Sequence, residues 1–195
     1  YAGRGPGQLS WFQPEPTVSL ELIGLLDLDR GEPVIDVGAG ASTLVDELLE
    51  RGYRDLTALD VSSEALQAAR RRLGSQARTV RWVAADLLTW RPGRRYRFWH
   101  DRAVFHFLTD PCHQARYRAV LAEALAGDGS VVIGTFAADG PTHCSGLPAA
   151  RYDPAHLAAA FGSDFTVVAD RHEDHHTPAG TRQPFTWLIL RRATM

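Results

Sequence analysis

The chain has 195 residues, of which 45% are hydrophobic, and all 21 basic residues are arginine, a bias typical of GC-rich bacterial genomes. The formal net charge of −2 gives no overall attraction for a polyanion, so no nucleic acid partner is expected. No apolar run reaches the roughly 20 residues that span a bilayer, and Cys112 and Cys144 are too few for a disulfide framework, so we expect a cytoplasmic protein without membrane association.

Short apolar runs alternate with helical patterns along the first two thirds of the chain. Residues 16–26 are typical of an amphipathic helix, which we expect against the edge of a sheet. Repeated strand, helix, strand order predicts a mostly parallel sheet with helices on both faces. The predicted strands of this part are 33–37, 56–60, 80–84, 97–100 and 130–136.

Capping signals mark the helices between these strands. The clearest is Asp110-Pro111, with a glycine, Gly127, after the apolar pattern ends. Aspartate at the N-cap, proline at the first helical position and glycine just past the end are strong boundary signals. Signals of this kind predict helices over 64–73, 112–126 and 155–161.

The last two predicted strands, 165–169 and 185–190, have no helix between them. The segment that separates them contains Thr177-Pro178-Ala179-Gly180, which is a turn signal, so we predict a C-terminal antiparallel hairpin. The complete pattern predicts an α/β fold with a seven-stranded, mostly parallel sheet. We expect a single domain over 1–195, in which 1–30 form an N-terminal lid and helix and 31–195 form the core.

A glycine-rich turn, Asp36-Val37-Gly38-Ala39-Gly40, follows the first strand, and Asp60 ends the second strand 20 residues beyond Gly40. This spacing suits a nucleoside site in which the carboxylate accepts both ribose hydroxyls. A dinucleotide site would need glycine at position 43, where this chain has Thr43, so pyrophosphate binding is disfavoured. Two alternatives stay open: the glycines only shape a turn, or Asp60 only caps the next helix, for which Ser62 also offers an oxygen.

The turn resembles motif I of the class I S-adenosylmethionine-dependent methyltransferases, [DE]-x-G-x-G-x-G. Asp36, Gly38 and Gly40 match it, and Ser42 replaces the third glycine. The resemblance covers roughly residues 30–137 and continues through 58–60, 85–87 and 125–129. It implies a Rossmann-like methyltransferase that uses S-adenosylmethionine and releases S-adenosylhomocysteine.

The resemblance also implies which residues contact the cofactor. Acidic side chains and backbone groups of the matching motifs would hold the polar parts of the cofactor, and two apolar side chains would pack on its adenine ring. Asp86 has an alternative interpretation as a simple loop acid. The implied contacts are Asp36, Gly38, Ala39 and Gly40 for the methionine part, Asp60 for the ribose, Asp86 for the adenine amino group, and Val61 and Leu87 for the ring.

The end of the fourth strand lies where the methyl acceptor should arrive, because substrates of open α/β sheets bind at the carboxyl ends of the strands. An amine or hydroxyl acceptor needs a base, for which His100 and Asp101 are the candidates. In the alternative interpretation, Asp101 pairs with an arginine to hold the loop and His106 is hydrogen-bonded in the core. The residues expected to bind the acceptor are Trp11, Phe12, Arg102, His106, Cys144 and Tyr152, with Trp11 and Phe12 as a lid or as plain packing on the sheet.

The C-terminal third offers a guide to the acceptor. Its order, Cys-Ser-Gly-Leu-Pro at 144–148, Tyr-Asp-Pro at 152–154 and Glu-Asp-His-His-Thr at 173–177, resembles the tellurite-resistance and thiopurine methyltransferases. That likeness implies a small thiol or other chalcogen acceptor. The regions 36–40, 60 and 100–102 also resemble small protein-lysine methyltransferases, so a protein substrate stays an alternative. A non-catalytic domain that binds the nucleoside for regulation is the third hypothesis.

Several histidines and a cysteine suggest a metal site, but we expect none. His172 and His175 lie on an extended segment, where residues three apart point to opposite faces. His143, Cys144 and His176 show no recognised ligand spacing. Cys144 is not expected to act as a covalent nucleophile, because methyl transfer needs no enzyme-bound intermediate.

Overall fold

The computed structural model describes residue 13 and residues 15–193 of the chain. In this part, no helix is long and apolar enough to cross a membrane. Five α helices and ten strands follow one another in the order α1 (Thr17–Gly24), β1 (Val34–Val37), α2 (Leu44–Glu50), β2 (Leu56–Asp60), α3 (Ser63–Leu73), β3 (Val80–Ala84), β4 (Tyr96–Arg102), α4 (Pro111–Ala124), β5 (Leu125–Ala137), β6 (His143–Cys144), β7 (Leu147–Pro148), β8 (Arg151–Tyr152), α5 (Pro154–Phe161), β9 (Phe165–His176) and β10 (Arg182–Arg192).

The main sheet has the strand order β3-β2-β1-β4-β5-β10-β9. Strands β1 to β5 run parallel, whereas β10 is antiparallel to both of its neighbours. Strand β8 adds a short parallel partner at the end of β5, and β6 and β7 form a separate small hairpin. The prediction of a mostly parallel sheet closed by an antiparallel hairpin is confirmed.

The sheet separates two apolar cores, because successive side chains of a strand point to opposite faces. On β1, Val34 belongs to the core under α1 and α2, and Ile35 belongs to the core under α4 and α5. Side chains two residues further along share those faces. Asp36 therefore lies on the α1 side of the sheet.

Helix α1 does not lie against a sheet edge, so that prediction was wrong. Its Ser19 is hydrogen-bonded to His100 of the central strand β4, and the helix also contacts β5. The buried side chains Leu22 and Ile23 belong to the core that covers the middle of the sheet. The apolar side of α1 finds more apolar surface over these central strands than at an edge.

The predicted helix starts agree with the structure to within one residue, and two predicted ends do not, because α1 ends at Gly24, two residues before its predicted end, and α4 also ends early. The Asp110 carboxylate accepts the Cys112 N–H at 2.7 Å, which caps α4 with Pro111 in its first turn. The helix ends at Ala124, two residues before the predicted end. Leu125 already belongs to β5, because it pairs with Tyr96 of the neighbouring strand β4. Its side chain is fully buried.

The C-terminal hairpin is longer than predicted, since β9 and β10 continue to either side of the turn. The turn is closed by the Thr177 N–H, which donates to the Thr181 carbonyl at 2.9 Å. Gly180 supplies a positive φ of 78° there. Strand β9 is an edge of the main sheet and carries mostly exposed side chains.

Candidate active site

A cavity of about 530 Å³ opens at the carboxyl ends of β1 to β4. It lies where the strand order reverses, with β2 on one side of β1 and β4 on the other, which is where open α/β sheets bind ligands. Its wall is built from the loops after these four strands, from α1 and from the β6–β7 hairpin.

The glycine turn after β1 forms the floor of the cavity. Gly38 has φ +69°, and a Cβ on it would lie 2.1 Å from Cγ2 of Val104, so no larger residue fits without displacing its neighbour. Gly40 also has a positive φ, of 49°. Ala39 is buried behind the wall, where its N–H donates to the Leu59 carbonyl. Gly38, unlike Ala39 and Gly40, belongs to the wall itself.

Ser42 replaces the third motif glycine for a visible structural reason. Its hydroxyl accepts the Leu44 N–H at 3.1 Å at the start of α2, a bond that glycine cannot make. Arg72 of α3 donates to the carbonyls of Ala41 and Ser42 at 3.0 and 2.5 Å, and forms two bonds with the Asp46 carboxylate. The turn is therefore held from outside the cavity.

Asp60 lies in the wall at the end of β2. Its Oδ1 accepts the Ser62 N–H at 2.7 Å, and the Gly40 N–H also donates to this carboxylate. Burial raises the pKa of Asp60, and those two N–H donors oppose the rise. Helix α3 is capped by Ser62, whose hydroxyl accepts the Ala65 N–H, so Asp60 is not the cap of this helix.

The loop after β3 and the residue after Asp60 form the far end of the cavity. Val61 is 75% exposed although it is apolar, and Leu87 is buried close by in the same wall. Asp86 is exposed, and its Oδ1 accepts the Leu88 N–H at 2.9 Å. A flat apolar ligand would cover Val61 here and leave a carboxylate at its edge.

Three buried side chains from different elements meet in the middle of the wall. Asp36 and His100 are register partners on the neighbouring strands β1 and β4, so their side chains share a face. His100 Nδ1 lies 2.7 Å from Asp36 Oδ1, and its Nε2 lies 2.9 Å from the hydroxyl oxygen of Ser19 on α1. Asp36 Oδ2 is buried and has no hydrogen-bond partner among the described residues.

The opposite end of the cavity carries a positive charge. The guanidinium carbon of Arg102 lies 4.8 Å from the ring centre of Phe185, and burial lowers the pKa of Arg102. Cys144 of β6 completes this part of the wall, and burial raises the pKa of its thiol. The two predicted residues Arg102 and Cys144 are thus brought together.

A family model of the methyltransferase domain matches residues 34–129, about half of the chain, which span β1 to the start of β5. The chain carries a methyltransferase domain. The methyltransferase predicted from the sequence is confirmed, and the predicted cofactor, S-adenosylmethionine, agrees with the S-adenosylmethionine or S-adenosylhomocysteine held by methyltransferases of similar fold. No curated protein sequence matches the chain.

Solved structures of methyltransferases share this fold. The 1,6-didemethyltoxoflavin-N1-methyltransferase of Burkholderia thailandensis, with 1,6-didemethyltoxoflavin and S-adenosylhomocysteine bound, is 22% identical with a TM-score of 0.70, over 91% of this chain and 76% of that chain. The N-methyltransferase NodS of Bradyrhizobium japonicum, in complex with S-adenosylhomocysteine, is 17% identical with a TM-score of 0.67, over 92% and 89%. A structure described with the conversion of a disulfide bond into a thioacetal group during echinomycin biosynthesis is 22% identical with a TM-score of 0.72, over 97% and 86%.

Asp101 does not reach the cavity of the methyltransferase, so its predicted role at the acceptor needs correction. It follows His100 on β4 and therefore points to the other face of the sheet. Its carboxylate accepts the Tyr117 hydroxyl and the Val104 N–H, at 2.7 and 2.9 Å. Burial raises the pKa of Asp101 to about 6, against the opposing effect of the Tyr117 hydrogen bond. Asp101 holds the loop after β4, as the alternative interpretation expected, but through these donors and not an arginine.

His106 and Tyr152 also need correction, because neither lies in the cavity wall. The His106 ring is fully buried, with the rings of Phe107 and Phe136 each 4.5 Å away between centres. Burial and the Arg102 charge lower its pKa to about 3. The Tyr152 hydroxyl accepts the Gln114 side-chain N–H at 3.0 Å, on the α4 and α5 side of the sheet.

Two predicted acceptor residues cannot be placed against the cavity. Trp11 and Phe12 lie outside the described residues. Within the described part of the chain, no three His, Cys, Asp or Glu side chains are grouped as metal ligands. The wall also includes residues that were not predicted from the sequence, among them Ser19 and Leu108.

Proposed function

We propose that this methyltransferase methylates a small neutral or anionic molecule, with the cofactor over β1 to β3 and the acceptor over β4 and the β6–β7 hairpin. The observation that carries the proposal is the charge pattern along the cavity. Among the described wall residues, the carboxylates of Asp60 and Asp86 occupy one end, Asp36 lies in the middle, and Arg102 occupies the other end. We also propose that the chain works as one domain, because a single sheet supports both ends of the cavity.

The cofactor end suits S-adenosylmethionine, which supplies an electrophilic methyl group on a sulfonium. Asp36 has a buried oxygen without a partner among the described residues, as expected of a site that receives a cationic donor. Asp60 offers a buried carboxylate for the ribose hydroxyls, and Asp86 offers one for the adenine amino group. The exposed Val61 and the buried Leu87 can pack on the adenine ring.

The acceptor end favours a small molecule over a protein lysine. A protein-lysine methyltransferase needs a wide, shallow cleft with acidic and aromatic lining to admit a peptide and its lysine. The volume of this cavity, about 530 Å³, lies in the lower half of the roughly 300–1,000 Å³ range typical of small-molecule pockets. The cavity has to hold the cofactor as well as the acceptor. The half-buried Arg102 would repel a lysine ammonium and attract a carboxylate, phenolate or thiolate.

A thiol stays the first acceptor class to test. The positive charge of Arg102 favours the thiolate, which is the reactive form of a thiol. The similar structure described with thioacetal formation in echinomycin biosynthesis supports sulfur as an acceptor in this fold. The similar N1-methyltransferase with bound 1,6-didemethyltoxoflavin supports a nitrogen heterocycle as the second class.

The experiment is a methyl-transfer panel with isotopically labelled S-adenosylmethionine and detection of products by mass spectrometry. We expect labelled products from small thiols, phenols or nitrogen heterocycles and none from lysine-containing peptides. Arg102→Met should lower kcat/KM for anionic acceptors by roughly 10-fold or more and change neutral ones less. The exposed Arg191→Met serves as the matched control.

Two results would contradict the proposal. Methylated lysine in the peptide set would establish the protein substrate. Tight binding of S-adenosylmethionine without transfer to any acceptor of the panel would favour the regulatory domain.

A further inference from the structure

We propose that Ser19, His100 and Asp36 form a proton relay that removes the acceptor's proton, with the Ser19 hydroxyl as the group that contacts the acceptor. The inference rests on the proposed function, because it concerns the same cavity and the same methyl transfer. It adds a catalytic residue on α1 that no sequence motif indicates.

The relay is a continuous set of short contacts between three elements. His100 Nδ1 is 2.7 Å from Asp36 Oδ1, and His100 Nε2 is 2.9 Å from Ser19 Oγ. All three side chains are buried against protein, yet all three belong to the cavity wall. The pairing follows from the fold, because Asp36 and His100 are register partners and α1 packs over β4.

The direction of the hydrogen bonds follows from the groups involved. An ionised carboxylate can only accept, so His100 Nδ1 carries a proton and donates it to Asp36. Nε2 of the neutral ring is then an acceptor, and the Ser19 hydroxyl donates to it. The Ser19 oxygen is left with lone pairs that can accept a proton from a group in the cavity.

The relay lies at the boundary between the two ends of the cavity. Asp60 and Asp86 are on the β2 and β3 side of it, and Arg102 and Cys144 are on the other side. In-line transfer requires the acceptor's nucleophile and the methyl group to meet between the cofactor and acceptor ends. Ser19 is therefore placed where the acceptor's proton has to leave.

The other ionisable groups of the described wall do not suit this task. Asp60 and Asp86 are at the nucleoside end. Arg102 has no basic lone pair, and burial raises the pKa of the Cys144 thiol, which keeps it protonated. His106 and Asp101 lie outside the wall. With these residues ruled out, His100, acting through Ser19, is the remaining base in the described wall.

Removal of the acceptor's proton and transfer of the methyl group occur together in the proposed step. The acceptor's X–H proton passes to Ser19 Oγ while the Ser19 proton passes to His100 Nε2, and Asp36 stabilises the resulting imidazolium. The electron pair of the X–H bond forms the new bond to the methyl carbon. The pair of the broken carbon–sulfur bond stays on sulfur, which becomes a neutral thioether. After product release, His100 returns its proton to solvent through Ser19.

The activity test compares Ser19→Ala and Ser19→Thr across small aryl thiols and phenols of graded pKa. We expect the loss of kcat/KM in Ser19→Ala to grow with acceptor pKa, from below 10-fold for thiols ionised at the assay pH to roughly 10²–10⁴-fold for phenols. Ser19→Thr keeps the hydroxyl and should restore most of the rate. The affinity for S-adenosylmethionine, measured by calorimetry, should stay within about 3-fold of the wild-type value. A loss that is the same for every acceptor would overturn the relay.

A second measurement needs no acceptor. Nitrogen-15 NMR of the histidine side chains should show the His100 ring protonated at Nδ1 and unprotonated at Nε2 in the cofactor-free protein. A proton on Nε2 would mean that the ring donates to Ser19, and the relay would then be wrong even if methyl transfer occurs. If no acceptor of the panel is methylated, the proposed function fails separately, and the tautomer still decides the relay geometry.

Discussion

Alanine in place of Gly38 is expected to destabilise the methyltransferase by roughly 2–5 kcal/mol and to abolish detectable binding of S-adenosylmethionine. The backbone conformation, with φ +69°, costs about 1–2 kcal/mol for any residue with a Cβ. The added carbon would also lie 2.1 Å from Val104 Cγ2, and relief of such overpacking typically costs about 1–3 kcal/mol. Both Gly38 and Val104 belong to the cavity wall, so relaxation around the new carbon deforms the cofactor site.

Gly52 gives a matched control, because its φ is +85° and an added Cβ would have no atom within 4 Å. We expect Gly52→Ala to cost only the backbone strain and to leave cofactor affinity unchanged. The double variant Gly38→Ala/Val104→Ala should recover part of the steric loss, since it removes the clashing methyl group. Denaturant unfolding and calorimetry with S-adenosylmethionine measure both effects. Equal losses in Gly38→Ala and Gly52→Ala would show that the close approach to Val104 does not matter.

His106→Phe is expected to remove a large part of the acid sensitivity of the fold. Burial holds the pKa of His106 at about 3 in the folded protein, against 6.5 for an ordinary histidine. The unfolded chain therefore binds a proton that the folded protein does not, and the stability present above pH 6.5 is lost as the pH falls. At pH 5 this linkage costs about 2 kcal/mol, and at pH 3 to 4 it costs about 3–4 kcal/mol. The phenyl ring suits the site, where Phe107 and Phe136 already surround the imidazole.

The measurement is the free energy of unfolding from pH 8 to pH 5, compared between the wild-type protein and the variant. The comparison is needed because Asp101 acts in the opposite sense. Burial raises the pKa of Asp101 from 3.8 to about 6 in the folded protein. Its contribution to the free energy of unfolding is therefore lost as the pH rises from 3.8 through 6. His113→Gln, at an exposed position of α4, should keep the wild-type acid slope. A His106→Phe variant with an unchanged slope would contradict the burial argument.

The parallel core of the fold could be predicted closely from local patterns. Strands β2 and β3 have the predicted bounds, and the Asp-Pro signals mark the starts of α4 and α5. The end of α4 was predicted late because the pattern continues past Ala124. What ends the helix is the pairing of Leu125 with β4, a contact between residues far apart in the chain. Two-residue strands such as β6 and β7 leave no periodicity to detect.

The cofactor end of the site was predictable because its residues follow strand ends at fixed intervals. The residues of the acceptor end were harder to predict from the sequence. The period of two along β4 places His100 and Asp101 on opposite faces, and this signal could have separated them from the sequence. No such signal exists for Ser19, whose place depends on how α1 packs over β4, or for His106, whose ring enters the core from a short turn.

The assignment of the cavity to S-adenosylmethionine depends most on Asp60 holding the ribose, and calorimetry with S-adenosylmethionine tests this directly. The wild-type protein should bind one molecule per chain. Asp60→Ala should weaken binding by about 3 kcal/mol, or roughly 100-fold, because two hydrogen bonds to a buried charged group are lost. Asp128→Ala, at an exposed acid far from the cavity, should bind as the wild-type protein does. A folded Asp60→Ala protein with wild-type affinity would contradict the assignment of this cavity to the cofactor.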